Sequence, residues 1–185
     1  MRSLDSRRGL ISVFLIPFTA LLVALSPIPA GAVRVGPVPD TCQFVTLAEA
    51  IQVLGGPASQ DGPNRETVRS GSRAFQESHC VYQRLDGADA VLDIFLSRSL
   101  TKRPPITVGE LSHQCKAKRV QVLTGLGAGA VWSEVPCLSS NGWVKRELNL
   151  VRGRDLIRIG FGGMATITEA RALAVTILTR DAAAR

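Results

Sequence analysis

Apolar residues recur along the chain with two different periods, and each period predicts one type of secondary structure. After residue 46 and again after residue 166, apolar side chains repeat at the helical spacing of about 3.6 residues. Along residues 90–97, 144–150 and 156–161, apolar and polar side chains alternate, as they do in strands that bury one face. The pattern therefore predicts helices that alternate with groups of strands.

Three predicted helix starts share one capping pattern, in which a threonine is followed three residues later by a glutamate. The pattern occurs at residues 46–49, 107–110 and 166–169. The threonine hydroxyl can accept a hydrogen bond from the backbone of the first turn, while the glutamate accepts one from the backbone of the threonine. Residues 55–57, Gly-Gly-Pro, end the first helix. Gly109 makes the second helix the weakest of the three.

Turn-rich stretches at residues 86–89 and 152–155 each separate two alternating runs, which is typical of β-hairpins. The predicted order is therefore helix, hairpin, helix, strands, helix. This order is typical of an α+β fold with an antiparallel sheet and helices packed on one face. It also fits two α-β-β units plus a C-terminal helix. The capping threonines are 61 and 59 residues apart, which leaves an internal duplication open.

Residues 57–78 show no clear period and are predicted to form a long loop. Arg65, Arg69 and Arg73 would align on one side of a short helix in this loop, where they could meet an anionic ligand. The alternative is a solvated loop without a ligand, because surface loops are commonly polar.

The first 32 residues have the order of a secretory signal peptide. Residues 2–8 contain three arginines, residues 10–25 are mostly apolar, and residues 30–32 read Ala-Gly-Ala. The apolar run is shorter than the ~20 residues that span a bilayer, although an uncleaved anchor is the alternative. The paired arginines leave general and twin-arginine export both open. Cleavage near Ala32 would leave residues 33–185 as a single exported α+β domain, located in the periplasm, cell wall or medium.

The chain carries a net charge of +7, and removal of residues 1–32 would leave 19 basic and 14 acidic residues. The basic residues are scattered and export separates the protein from the genome, so nucleic acid is not a predicted partner. An exported basic surface suits a cell-envelope component such as anionic lipid or wall polymer, unless the charge serves solubility alone. We therefore expect a peripheral membrane or wall contact. We also expect the protein to be a monomer.

The four cysteines, Cys42, Cys80, Cys115 and Cys137, all follow residue 32. An even number of cysteines in an exported protein predicts two disulfides, for which three pairings exist. We expect Cys42 to pair with Cys80 and Cys115 with Cys137, because sequential pairing would cross-link each half of the chain separately. A zinc site is the alternative, but the sequence has no Cys-x-x-Cys pair and its two histidines lack ligand spacing.

The sequence contains no motif for catalysis, cofactor binding or metal binding. Neither G-x-S-x-G nor H-E-x-x-H occurs, and paired cysteines cannot act as nucleophiles. The glycines of residues 125–129 lack the following helix that a dinucleotide site requires, so they predict a tight turn into a strand. We therefore expect a protein without catalytic activity or cofactor, with an envelope hydrolase as the alternative.

Four side chains are candidates for ligand binding: Tyr82, Trp132, Trp143 and Arg158. Strand parity would arrange them along a groove over the uncovered face of the sheet. The alternative for the tryptophans is packing in the core or at its rim.

Several short motifs resemble an actinobacterial family of exported proteins and lipoproteins, the domain of unknown function numbered 3558. The resemblance rests on residues 41–50 (TCQFVTLAEA), 54–56 (LGG), 80–82 (CVY) and 126–130 (LGAGA), together with the alanine-rich last helix. In size and two-disulfide plan the chain is also similar to the extracellular sensor domains of mycobacterial serine/threonine kinases. The lipid-anchoring cysteine of many family members is missing, because Val33 follows the cleavage site. The resemblance implies no catalytic residues.

Together these features predict a cell-envelope binding or sensing module for a small molecule, wall fragment or lipid, without catalysis. The alternative is a structural or protein-interaction domain, such as an inhibitor or the subunit of a complex, with no small ligand.

Overall fold

The computed structural model describes residues 36–88, 90–115, 119–139, 142–163 and 165–184, all within the unit formed by residues 35–185. The predicted signal peptide, residues 1–32, lies outside the described residues. Within those ranges, no helix is long and apolar enough to cross a membrane.

One antiparallel sheet of seven strands, in the order β1-β2-β3-β7-β6-β5-β4, organises the described chain. The first three strands form one meander, the last four form another, and β3 pairs with β7 to join the two. This confirms the predicted α+β class, although the two units contain three and four strands rather than two each. The strands are β1 (Ala58–Ser70), β2 (Arg73–Arg84), β3 (Val91–Ser99), β4 (Val120–Leu123), β5 (Gly129–Ser133), β6 (Arg146–Arg152) and β7 (Asp155–Phe161).

The three described α-helices all begin directly after the predicted capping threonines. They are α1 (Leu47–Leu54), α2 (Val108–Gln114) and α3 (Ile167–Ala183), and a short 3-10 helix (Thr41–Gln43) precedes α1. In each α-helix the threonine hydroxyl accepts from the backbone of the glutamate and the glutamate accepts from the backbone of the threonine. These local hydrogen bonds explain why the helix starts are visible in the sequence.

The helices divide between the two faces of the sheet. The α1 and α3 helices pack on the inner face, where the side chains of Leu92, Ile94 and Ile157 belong to one core with Ala170, Leu173 and Ile177 of α3. The α2 helix instead packs on the opposite face, where Leu111 contacts Val131 of β5. We call that opposite side the outer face; it is formed by Phe75, Glu77, His79, Val81, Asp93, Phe95, Ser97, Glu147, Asn149 and Arg158.

Both predicted disulfides are present in the described chain. Cys42 pairs with Cys80 and Cys115 pairs with Cys137, with Cα–Cα distances of 5.2 and 5.3 Å. The first connects the 3-10 helix to β2, and the second connects the end of α2 to the loop after β5. Two disulfides are typical of an exported protein.

Residues 57–78 do not form a loop, so that prediction was wrong. They form β1 and the first half of β2, and β1 is an edge strand whose side chains are mostly exposed. A strand exposed to solvent on both faces needs no alternation of apolar residues, and its pairing is also interrupted between Asp61 and Asn64. Arg65 and Arg69 therefore lie on a strand rather than on a helix.

A buried network of charged side chains lies at one edge of the inner face, where β3 and α3 terminate. Arg98 binds Asp155 through two parallel hydrogen bonds of 2.8 and 2.9 Å. Asp181 of α3 lies 3.9 Å from Arg98 and 3.7 Å from Arg152. Asp155 and Asp181 are both inaccessible to water, so the two arginines replace the hydration that the carboxylates lose.

Candidate functional site

The structure does not bring the four predicted ligand-binding residues together. Tyr82 and Trp132 are buried on the inner face, whereas Arg158 lies on the outer face. Trp143 is 62% exposed in the loop between β5 and β6. The prediction of one shared groove was therefore wrong, because the sequence gives the alternation within a strand but not the register between strands.

Tyr82 and Trp132 contribute to the core instead. The Tyr82 hydroxyl donates to the backbone oxygen of Val45 and lies 3.3 Å from that of Cys42. Burial of this side chain raises the pKa of Tyr82 to about 12, and the charges of nearby carboxylates contribute to the increase. The Trp132 ring packs against Phe161, with 6.0 Å between the ring centroids. One edge of Trp132 also borders an open depression of about 570 Å³ next to the start of α3.

On the outer face, two half-buried polar side chains are each held by a buried partner. His79 Nε2 lies 2.8 Å from Asp93 Oδ1, and Ser97 Oγ donates to Glu77 Oε1 at 3.0 Å. Asp93 and Ser97 are at most 3% exposed, whereas Glu77 and His79 reach the surface. The buried partners therefore fix the orientation of the more accessible groups, an arrangement that suits recognition of a ligand.

Arg158 occupies the centre of the outer face. Its guanidinium carbon lies 4.4 Å from the ring centroid of Phe95, which is a cation–π contact. In the strand register Arg158 is opposite Asn149 of β6. Arg158 Nε and Asn149 Oδ1 are both buried and have no hydrogen-bond partner among the described residues. A buried donor and a buried acceptor are thus left unsatisfied on neighbouring strands.

Strand parity places Glu147 and Asn149 on the side opposite Leu148 and Leu150, and both are nevertheless completely buried. Asn149 Nδ2 donates to Glu147 Oε1 at 2.5 Å. Glu147 also accepts from the backbone N–H groups of Leu138 and Ser139, at 3.2 and 2.9 Å. The disulfide-linked loop after β5 covers these residues. The Glu147 carboxylate accepts from backbone N–H groups of this loop that would otherwise bind water.

A small recess of about 170 Å³ extends the outer face beyond the ends of β2 and β3. Gln83 and Val91, which line the recess, lie on the same side of the sheet as the residues of the outer face. The exposed ring of Trp143 forms one wall. The recess is lined by Gln83, Val91, Gly142, Trp143 and Lys145.

Glu77 is the group on this face whose ionisation the fold disfavours. Burial raises the pKa of Glu77, and the charge of Glu66 adds to this effect, while Ser97 and Arg158 oppose it. A carboxyl group with a raised pKa in the folded state stabilises the fold below its unfolded pKa, and this stabilisation is lost as the pH rises through the folded value. The fold is therefore favoured by protonation of Glu77.

We expect Glu77→Gln to remove this pH dependence. The free energy of unfolding of the variant, relative to that of the native protein, should increase between pH 4 and pH 7 because the variant carries no charge to desolvate. Urea unfolding at several pH values measures the difference, with the exposed Glu134→Gln as the control. The expectation would be contradicted if the free energy of unfolding of the variant, relative to that of the native protein, stayed constant or fell as the pH rises.

Most of this face was not predicted from the sequence. Phe75, Glu77, His79 and Val81 alternate with residues of the inner face, but half of them lay in the stretch interpreted as a loop. The inner face of β2 carries the polar side chains of Gln76 and Ser78, so the strand lacks the alternation that would have identified it. The sequence correctly predicted that Asp93 and Phe95 lie on a strand, but it did not predict which residues contact them.

Comparisons of the chain with protein-family models, with curated proteins and with solved structures found no match. The resemblance to the domain of unknown function numbered 3558 therefore stays a prediction. Among the described residues, no group of three or more histidine, cysteine, aspartate or glutamate side chains is placed to hold a metal ion.

Proposed function

We propose that the protein is a cell-envelope binding module that receives a polar ligand, such as a wall fragment, on its outer face and does not transform it. One observation carries the proposal. Arg158 Nε and Asn149 Oδ1, a donor and an acceptor on adjacent strands, are buried without a partner in the described chain. They lie on the same face as the oriented side chains of Glu77 and His79.

The two unsatisfied atoms define the ligand chemistry. A buried polar atom without a partner costs about 1–3 kcal/mol, and a ligand that supplies the partner recovers this cost. Arg158 Nε requires an acceptor and Asn149 Oδ1 requires a donor, and a hydroxyl or an amide group offers both. Rotation of Arg158 away from Phe95 would open both atoms to such a group. Sugars and peptides of the envelope contain many hydroxyls and amides.

The proposal predicts that Arg158→Gln weakens binding of soluble peptidoglycan fragments by about ten-fold or more, since hydrogen bonds to charged groups contribute about 1.5–3 kcal/mol. Titration followed by tryptophan fluorescence, with protein recovered from cells that express the full chain, measures the affinity. Arg69→Gln is the matched control, because it removes the same charge from the inner face of β1. Equal affinities of the two variants, or no binding by the native protein, would reject the proposal.

Acid–base catalysis is a second candidate, and the raised pKa of Glu77 next to the His79–Asp93 pair favours it. A carboxyl group with a raised pKa and an oriented histidine are groups that general acid–base chemistry uses. Mass spectrometry of the fragments after incubation separates the two candidates. Unchanged masses support binding alone, whereas products that disappear with Glu77→Gln support catalysis.

A further inference from the structure

Residues 64–70, the second half of β1, form an open edge of the sheet. They pair with β2 on one side, and no described strand pairs with them on the other. The irregularity between Asp61 and Asn64 separates them from the first half of the strand. An unpaired edge presents a row of backbone N–H and C=O groups to which another strand can add.

The hydrogen bonds of β2 show which residues of this edge have free backbone groups. The backbone oxygen of Ala74 accepts from Leu100 at 2.9 Å, on the β3 side of β2. In antiparallel strands the N–H and C=O of one residue point to the same side, and those of the next residue point to the other. Arg69, the partner of Ala74, therefore directs both groups away from β2. The same holds for Thr67 and Arg65, which precede it at alternate positions.

The side chains along this edge differ in charge between the two faces of the sheet. Arg65 and Arg69 lie on the inner side and are exposed. Asp40 lies 3.7 Å from Arg65, whereas Arg69 forms no ion pair within the described chain. Glu66 is exposed on the outer side, where it is in register with Glu77.

The other charged side chains near the edge do not change this pattern. Arg73, across the β1–β2 turn, donates to the backbone oxygen of Pro105 at 3.2 Å and interacts electrostatically with Glu110. Asp61 lies on the outer side, beyond the irregularity in the pairing. A strand that adds to residues 64–70 would therefore meet two cations on its inner side and an anion on its outer side.

A second copy of β1 is a poor occupant of this edge. Antiparallel pairing centred on Thr67 sets Arg65 of each copy opposite Arg69 of the other, and pairing centred on Glu66 sets two glutamates opposite each other. Like charges directly opposite in a sheet are destabilising. Pairing centred on Val68 avoids this repulsion but runs into the β1–β2 turn after Ser70. The charges therefore select against self-association and favour a different chain.

We propose that residues 64–70 bind an extended acidic segment of another protein, which adds to the sheet as a further antiparallel strand. Its backbone would pair with the three edge-directed residues, and its carboxylates would lie opposite the two arginines. A cation opposite Glu66 and an apolar residue opposite Val68 complete the match. Main-chain hydrogen bonds provide the affinity in such complexes, and alternate side chains provide the specificity. The inference is independent of the ligand proposed for the outer face.

Fluorescence anisotropy with a labelled peptide tests the proposal. The probe is acetyl-Thr-Glu-Val-Thr-Lys-Glu-Thr-amide, whose central threonine would lie opposite Thr67 and whose glutamates would lie opposite Arg69 and Arg65. Protein from cells that express the full chain should bind this probe. Methylation of the central threonine nitrogen, which would donate to β1, should weaken binding about ten-fold or more. Methylation of the preceding valine nitrogen, which would point away from β1, should leave the affinity almost unchanged.

A charge exchange tests the register. Arg69→Glu should weaken binding of the probe about five-fold. A probe with lysine in place of its first glutamate should bind this variant more tightly than it binds the native protein. Arg119→Glu makes the same change beside β4, at the other edge of the sheet, and should keep the native affinity for the probe. Matching thermal unfolding curves verify that both variants are folded.

Failure of the native protein to bind the probe would overturn the proposal. An equal loss with the two methylated probes would also overturn it, because the contact would then not use the backbone of an added strand. An equal loss in the two charge variants would reflect net charge alone and reject the proposed register. A stable dimer in analytical ultracentrifugation that Thr67→Pro dissociates would make a second copy of the chain the occupant and reject the acidic partner.

Discussion

Replacement of Cys42 and Cys80 by alanine is expected to lower the free energy of unfolding by about 4 kcal/mol. The disulfide spans 38 residues, and its loss restores the conformational freedom of that loop in the unfolded chain. Cys80 is completely buried in the inner core, so the replacement also removes packing. Urea unfolding followed by circular dichroism measures the change.

The second disulfide provides the matched control. Cys115 and Cys137 are separated by 22 residues, so their joint replacement should cost about 3 kcal/mol, less than the first. Two remaining contacts limit the local damage in the first variant, because Thr41 still bonds Ser78 and Tyr82 still bonds Val45. A change below 1 kcal/mol in the first variant would show that these contacts alone hold the 3-10 helix on β2.

Replacement of Arg98 by methionine is expected to destabilise the fold by about 3–5 kcal/mol. Asp155 would lose both of its hydrogen bonds to the guanidinium, and Asp181 would lose the cation that lies 3.9 Å away. Both carboxylates are at most 1% exposed, so water cannot replace the missing cation. Chemical unfolding near neutral pH measures the effect.

An exposed arginine and a double variant test the cause of this loss. Arg119→Met removes an arginine that is 82% exposed and 3.6 Å from Glu134, which should cost less than 1 kcal/mol. Arg98→Met combined with Asp155→Leu should recover part of the stability, since the uncompensated charge is then removed as well. A double variant less stable than Arg98→Met would show that the network contributes packing rather than charge neutralisation.

The disulfide and the candidate site are connected through β2. Cys80 and Tyr82 point to the inner face, where a covalent bond and a hydrogen bond hold them. Because side chains alternate along a strand, these two anchors direct Glu77 and His79 to the outer face. The inner core thus sets the position of the polar groups that the proposed ligand would contact.

Much of the fold was predictable because its signals are local. A threonine and a glutamate three residues apart form a capping box without help from the rest of the chain, and all three boxes start helices. The turn at residues 152–155 and the glycines at 125–129 connect strands as expected. The strand at residues 58–70 was not predicted because an exposed edge strand lacks the apolar period that marks a half-buried strand.

The candidate site was not predictable in the same way. The sequence identified Arg158 as an outward-facing polar residue, but only the register of β7 with β3 and β6 places it next to Phe95 and Asn149. Packing of α2 and its disulfide-linked loop on the outer face buries Glu147, which strand parity alone would leave in solvent.

The sequence by itself therefore determined the elements, the helix caps and the number of disulfides, because these depend on residues close together in the chain or on a count of cysteines. The tertiary structure decided which strands are neighbours, which face each helix covers and which polar atoms lack a partner. These properties depend on contacts between residues that are far apart in the chain, and a single sequence carries no direct record of such contacts.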